Sequence, residues 1–203
     1  MQVWSGVFDT TMILKLVNRL FNHLRLELRK RCWVYLLILC LSFSISVPQA
    51  SAQDSALEFR VKAAFIYNFI AFTQWPNEID QTIHLCIYGR DPFGIEVDKL
   101  ESKSVHGRNI KVKRINEPRA VKDCQVVFFS TSAINEIARI VNGIQNQPTL
   151  TLADNPQGIA QGVIINMSLA NEKVVFEINL GVARRSGLNL SSKLLRLAVK
   201  VNH

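Results

Sequence analysis

No apolar run in this 203-residue sequence matches the length of a membrane-spanning helix. The longest, Cys32 to Val47, has 16 residues, against the roughly 20 that a span requires. The common signatures of chemistry are missing too. There is no Gly-x-Ser-x-Gly elbow, no glycine-rich phosphate loop and no Cys-x-x-Cys pair. Ser130-Thr131-Ser132 follows a strand-like run but lacks the glycines that let a nucleophile project. Histidine is scarce. Of four histidines, the three after residue 52, His84, His106 and His203, stand alone, none at ligand spacing from another, and all three read as incidental. These absences leave no metal ligand set, no cofactor motif and no catalytic residue to assign. An exported hydrolase would need a site of an unfamiliar kind.

What the first fifty residues do contain is an export signal. Arg29, Lys30 and Arg31 precede the apolar run, Pro48 follows it, and Ala50-Ser51-Ala52 supplies the small residues that a signal peptidase requires. Cleavage after Ala52 is expected; an uncleaved anchor is the alternative. Cys40 follows Leu39 where lipidation needs a small residue. The stretch before Arg29 is long for such a signal, and Met12 is an internal alternative start. Residues 1–52 are therefore assigned as signal peptide and residues 53–203 as one domain of common size. No linker, repeat or low-complexity tract divides that domain.

Removing the leader changes the electrostatics. It holds six Lys/Arg and two Asp/Glu, so 18 basic and 14 acidic residues remain, a net charge near +4 rather than +8. Such a balance gives no warrant for nucleic-acid binding. Cys32 and Cys40 leave with the leader, and Cys86 and Cys124 stay. In an oxidising compartment these two form a disulfide or remain two separate buried thiols.

Hydrophobic periodicity predicts a helix from Leu57 to Trp75, stopped by Pro76, with Leu57, Val61, Ala64, Asn68, Phe72 and Trp75 in one stripe. Phe59, Ile66, Phe69 and Ile70 make it apolar on other faces as well, so either the domain wraps it or another chain covers part of it. Strands are expected at 83–89, 110–115, 125–130 and 149–152, with helices at 93–100 and 133–145 between them. Two more strands, 163–168 and 173–178, flank a short turn as a hairpin. A last helix runs to Val199, with Leu190, Leu194, Leu197 and Val201 as its apolar stripe. This alternation predicts an α/β fold, a mainly parallel doubly wound sheet with helices on both faces and a C-terminal antiparallel β-hairpin. An order 2-1-3-4 for the first four strands sets the first beside the third, which brings Cys86 near Cys124. Asn68 and Asn179, polar within apolar elements, are expected to be buried hydrogen-bonding fixtures.

Several segments, taken together, carry a family resemblance. They are Val61-Lys62-Ala63-Ala64-Phe65-Ile66-Tyr67-Asn68-Phe69 running to Thr73-Gln74-Trp75-Pro76; Cys86-Ile87-Tyr88-Gly89 with Asp91-Pro92-Phe93-Gly94; Cys124-Gln125-Val126-Val127-Phe128; Gly162-Val163-Ile164-Ile165-Asn166; and Leu188-Asn189-Leu190-Ser191-Ser192-Lys193-Leu194-Leu195-Arg196-Leu197-Ala198. This order resembles the YfiR family of periplasmic repressors across nearly the whole mature domain. The resemblance implies a non-enzymatic protein that binds the periplasmic part of an inner-membrane diguanylate cyclase and holds it inactive, lowering cyclic di-GMP and biofilm formation. It also implies a homodimer, an outer-membrane lipoprotein as a releasing partner, and a disulfide between Cys86 and Cys124. A second disulfide of the best-known member has no counterpart, since no cysteine follows Cys124.

Candidate site residues follow from both lines. Tyr67, Phe72 and Trp75, with Arg184, Lys193 and Arg196 as a basic rim, are candidates for a partner or dimer interface; core packing is the competing reading of the aromatics. A periplasmic small-ligand sensor is the alternative function, and Arg90, Asp91 and Ser130 would line its crevice at the strand ends. Asp91 and Asp154 otherwise read as turn-capping carboxylates. No membrane insertion is expected once the leader is removed.

Overall fold

The computed structural model describes residue 19, residues 50–76 and residues 81–203. The basic cluster Arg29–Arg31 and the apolar run Cys32–Val47 lie outside the described residues. Among the described residues no helix is long and apolar enough to cross a membrane.

From Ala50 onward the chain forms one α/β unit. Helix α1 (Ala50–Ala71) leads into the two-residue strand β1 (Thr73–Gln74) and then β2 (Thr82–Tyr88). After them come α2 (Ile95–Asp98), β3 (Ser104–Val105), β4 (Arg108–Ile115) and β5 (Val126–Phe129). The chain continues with α3 (Ile137–Gly143), β6 (Leu150–Ala153), β7 (Ile165–Ala170) and β8 (Lys173–Asn179). It closes with α4 (Leu180–Arg185), β9 (Asn189–Leu190), α5 (Ser192–Leu197) and β10 (Lys200–Asn202).

The main sheet has the order β10-β8-β7-β6-β5-β2-β4-β3, which contains the expected arrangement of the first four long strands. β4, β2, β5, β6 and β7 are parallel neighbours, and β7 pairs antiparallel with β8. Side chains of successive strand residues point to opposite faces, so strands that are apolar throughout feed two cores. Leu85, Ile87, Val126, Phe128, Leu150 and Leu152 pack on the face that carries α1. Cys86, Tyr88, Val127, Phe129 and Ala153 pack on the face that carries α3. The doubly wound, two-faced architecture is thereby confirmed.

Two expectations need correction. The hairpin turn is shorter than the one expected. Strands extend to Ala170 and Lys173, leaving only Asn171 and Glu172, both at positive φ, the geometry that suits the twist of a two-residue turn. The C-terminal segment is not one helix but α4, β9, α5 and β10. Asn179 accepts a hydrogen bond from the Val182 amide and so caps α4, while Gly187 turns the chain at φ +72°. Ser191 caps α5 through the Leu194 amide, and Ala198 is already extended. The Val199 amide then donates to the Phe176 carbonyl, and β10 pairs parallel with β8. β10 therefore covers the hairpin's outer edge. Leu190 and Leu194 are buried as expected, but Leu197 is 65 % exposed and Val201 lies in a strand.

The two most specific sequence motifs meet in space. β1, at the end of α1, pairs antiparallel with β9, Thr73 opposite Leu190 and Gln74 opposite Asn189. The Ser191 amide donates to the Phe72 carbonyl, and Thr73 Oγ1 to the Phe69 carbonyl. This clasp, and not Pro76 alone, ends the helix.

Candidate functional site

α1 contributes Ala63, Ile66, Phe69 and Ile70 to the core, each at most 2 % exposed. Each of the three larger side chains stabilises the fold by about 1.5–3 kcal/mol. These are not the stripe residues. Leu57 is 51 % exposed and Val61 37 % exposed, and Ala64 and Asn68 also face outward. Asn68 is thus not a buried fixture, whereas Asn179 is half-buried and acts as a cap. The helix is apolar on more than one side, and the residues Leu57 and Val61 on one of them stay exposed.

The uncovered side forms one wall of a groove. Leu57, Val61 and Phe65 face Leu169 and Val174 of the β7–β8 hairpin across an open concavity of about 930 Å³, rimmed by Glu58, Glu172 and Lys173. Leu169 is 51 % exposed. The Phe65 ring lies 5.8 Å from both Phe69 and Phe176, so the groove floor is continuous with the core. An apolar concavity on a rigid helix and a tight hairpin is suited to receiving apolar side chains from a partner.

Beneath this face α1 is bolted to the sheet by charge. Lys62 is 4 % exposed. Its ammonium donates to Asp154 Oδ2 at 2.9 Å and pairs with Glu58 one turn earlier. It also lies 5.0 Å above the Phe59 ring. Asp154 sits just past β6 with Oδ1 buried and unpartnered. Burial pushes its carboxyl above the ordinary aspartate value, against the opposing pull of Lys62. Asp154 is therefore half of a buried ion pair and not a turn cap. Asp91 does cap its turn, accepting from the amides of Phe93 and Gly94, and it also binds Arg114.

The remaining predicted residues fall into three groups. Cys86 and Cys124 form a disulfide with Cα atoms 6.0 Å apart, joining adjacent strands; both are buried, at 0 % and 3 % exposure. Tyr67, Phe72 and Trp75 are half-buried against the core, with the Lys103 ammonium 4.8 Å over the Tyr67 ring, while Arg184, Lys193 and Arg196 are exposed. Arg90, Asp91 and Ser130 lie at the strand ends: the Arg90 amide donates to Ser132 Oγ, which also bonds Ser130 Oγ, and the Arg90 side chain is exposed. Gly89, at φ +89°, closes over them so tightly that a Cβ would stand 2.5 Å from Ser130 Oγ. Among the described residues no group of three or more His, Cys, Asp and Glu side chains is placed to hold a metal ion.

Sequence reasoning missed Leu169 and the Lys62–Asp154 pair, and it placed Leu57 and Val61 without fixing which way they face. A lysine in the middle of an apolar helix was the available signal for the ion pair.

Solved structures with a similar course include a conserved domain protein from Vibrio cholerae O1 biovar El Tor str. N16961. It has 10 % identity and a TM-score of 0.49, over 71 % of this chain and 60 % of that one. The ABC domain in complex with L-Trp from Streptococcus pneumonia is similar at 8 % identity and a TM-score of 0.47, over 70 % of this chain and 60 % of that one. The chain thus spans 60 % of the length of each. The model of the YfiR/HmsC-like family matches residues 59–199, a span that takes in α1 from Phe59 onward, every strand of the main sheet but β10, the disulfide and the terminal clasp. The chain belongs to the YfiR/HmsC-like family.

Proposed function

We propose that this protein is a periplasmic negative regulator that binds the periplasmic part of an inner-membrane diguanylate cyclase and holds it inactive. Membership of the YfiR/HmsC-like family supports a regulator of this kind rather than an enzyme. The observation that carries the docking reading is the uncovered apolar face of α1, where Leu57, Val61 and Phe65 form a groove with Leu169 and Val174. A binding protein inhibits only by preferring the inactive conformation of its target. In this reading the groove takes apolar side chains that the cyclase offers in its inactive arrangement alone. Export by the leader, cleavage after about Ala52, a homodimer and release by an outer-membrane lipoprotein belong to the same proposal. Tyr67, Phe72 and Trp75, at the clasped end of α1, would extend the interface.

The test is binding of the exported protein to the purified periplasmic part of the cyclase. Val61→Asp and Leu169→Asp place a carboxylate on opposite walls of the groove, and each is expected to weaken binding about 30-fold or more, as for an interface hot spot. Both positions are exposed enough for the melting temperature to stay near that of the parent. Undiminished binding by both variants would remove the groove from the interface.

A further inference from the structure

The last sixth or so of the domain has an unusual charge pattern. From Leu180 to His203 there are five Lys/Arg and no Asp or Glu. Within α5, Lys193, Arg196 and Leu197 stand at i, i+3 and i+4, which places them on one helical face. Leu194, on the adjoining face, is buried in the core. After Ala198 the chain bends at Val199 and enters β10 at Lys200, held to β8 by the Val199 amide and by the strand pairing. Lys193, Arg196 and Lys200 are exposed, and among the described residues none of the three pairs with a carboxylate. Between them stand two of the most exposed large aliphatic side chains of the unit, Leu197 at 65 % and Val199 at 62 %.

We propose that this surface docks the protein on a bilayer rich in anionic phospholipid, with Lys193, Arg196 and Lys200 on headgroup phosphates and Leu197 and Val199 at the acyl boundary. The inference goes beyond the repressor reading and does not require it. Aliphatic side chains stay exposed at a cost, and cations on both sides of them match the layered chemistry of a lipid surface, phosphate outside and hydrocarbon beneath. The segment itself carries no carboxylate to be repelled by such a surface, and the one in register beside it, Glu177 of β8 opposite Lys200, is half-buried. α5 has six residues, too few to lie in the interface as an independent amphipathic helix, so the contact is a reversible patch fixed to a folded domain. Held against the membrane, the protein would search for membrane-anchored targets in two dimensions.

The exported, processed protein is mixed with vesicles of phosphatidylethanolamine and phosphatidylglycerol, and with vesicles of phosphatidylcholine alone, and the bound fraction is read by sedimentation. Partitioning to the anionic vesicles that falls as salt rises, with none to the neutral ones, is expected. Each cation near an anionic surface is worth about fivefold in partitioning, so the K193A/R196A/K200A triple variant should lose about a hundredfold. L197S/V199S should lose about tenfold more than any salt effect explains. All five side chains are exposed, and circular dichroism checks that the variants remain folded. Equal binding to both vesicle types, no binding to anionic vesicles, or unchanged partitioning of the triple variant would overturn the proposal. Loss of cyclase affinity in the triple variant without any vesicle binding by the parent would assign the patch to an acidic protein surface and overturn it equally. Full partitioning by L197S/V199S would reduce the site to phosphate-ion binding and refute the bilayer contact.

Discussion

Lys62→Met isolates the charge that fastens α1 to the sheet. Methionine keeps the length and most of the apolar contact of the lysine stem but removes the ammonium, leaving Asp154 with a side chain 5 % exposed and no cation. Its second oxygen is already buried without a partner. The stranded carboxyl then has two options. Staying ionised costs about 3–5 kcal/mol, the usual penalty for breaking a buried pair. Taking up a proton costs the free energy of protonating an ordinary aspartate, whose unfolded value is about 3.9, or about 4 kcal/mol at pH 7 and about 1.5 kcal/mol at pH 5. The second figure is a ceiling that falls with pH, so the loss in the variant should shrink by at least half between pH 7 and pH 5. The sign agrees with the parent protein. A carboxyl whose folded value is raised binds its proton more readily folded than unfolded, so its contribution to stability is largest below the unfolded value and is lost as pH rises through the folded one. Urea unfolding at the two pH values measures both quantities. A loss below about 1 kcal/mol at pH 7, or a loss that does not shrink with acid, would mean that water reaches Asp154 and that the buried-pair argument is wrong.

Other consequences are equally direct. Replacing both Cys86 and Cys124 by serine opens a loop with 38 residues of separation and should cost about 4 kcal/mol in the chain-entropy model, read as a lower urea midpoint. Because both sulfurs are buried, a mild reductant should act on the native protein only slowly and leave partner affinity unchanged while the bridge persists; a rapid change of affinity on reduction would make the bridge a switch. Gly89→Ala adds a Cβ at positive φ against Ser130 and Ser132 and should cost more than about 1 kcal/mol, whereas Gly94→Ala, which meets nothing within 4 Å, should suffer from its backbone conformation alone. Ser191→Ala removes the cap of α5 and should cost about 1 kcal/mol by the same assay.

The strand order was legible because each central strand is apolar on both faces and is separated from the next by connectors of helical length, a pattern that few sheets other than parallel ones satisfy. That order agrees with the Cys86–Cys124 disulfide expected from the two cysteines beyond the leader and from the family resemblance, since the first and third strands are neighbours. The C-terminal segment was not legible. Leu190, Leu194, Leu197 and Val201 have helical spacing, but a backbone partner on β8 recruits residues 200–202 into the sheet, and spacing carries no information about a free strand edge elsewhere. The site was half visible. Periodicity identified α1 as apolar all round, yet which side faces inward depends on the sheet it meets, so Leu57 and Val61 came out exposed while Ile66 and Phe69 went inside. Lys62 was conspicuous in an apolar helix; its partner, 92 residues away, was not.

The most direct test of the central claim is cellular cyclic di-GMP in the native host. The gene is deleted, then restored as the parent, as a leaderless copy, or as an exported Val61→Asp/Leu169→Asp variant. Cyclic di-GMP is expected to rise on deletion and to fall again only with the exported parent, while the groove variant accumulates in the periplasm without repressing. Unchanged cyclic di-GMP on deletion, or full repression by the leaderless copy or by the groove variant, would contradict it.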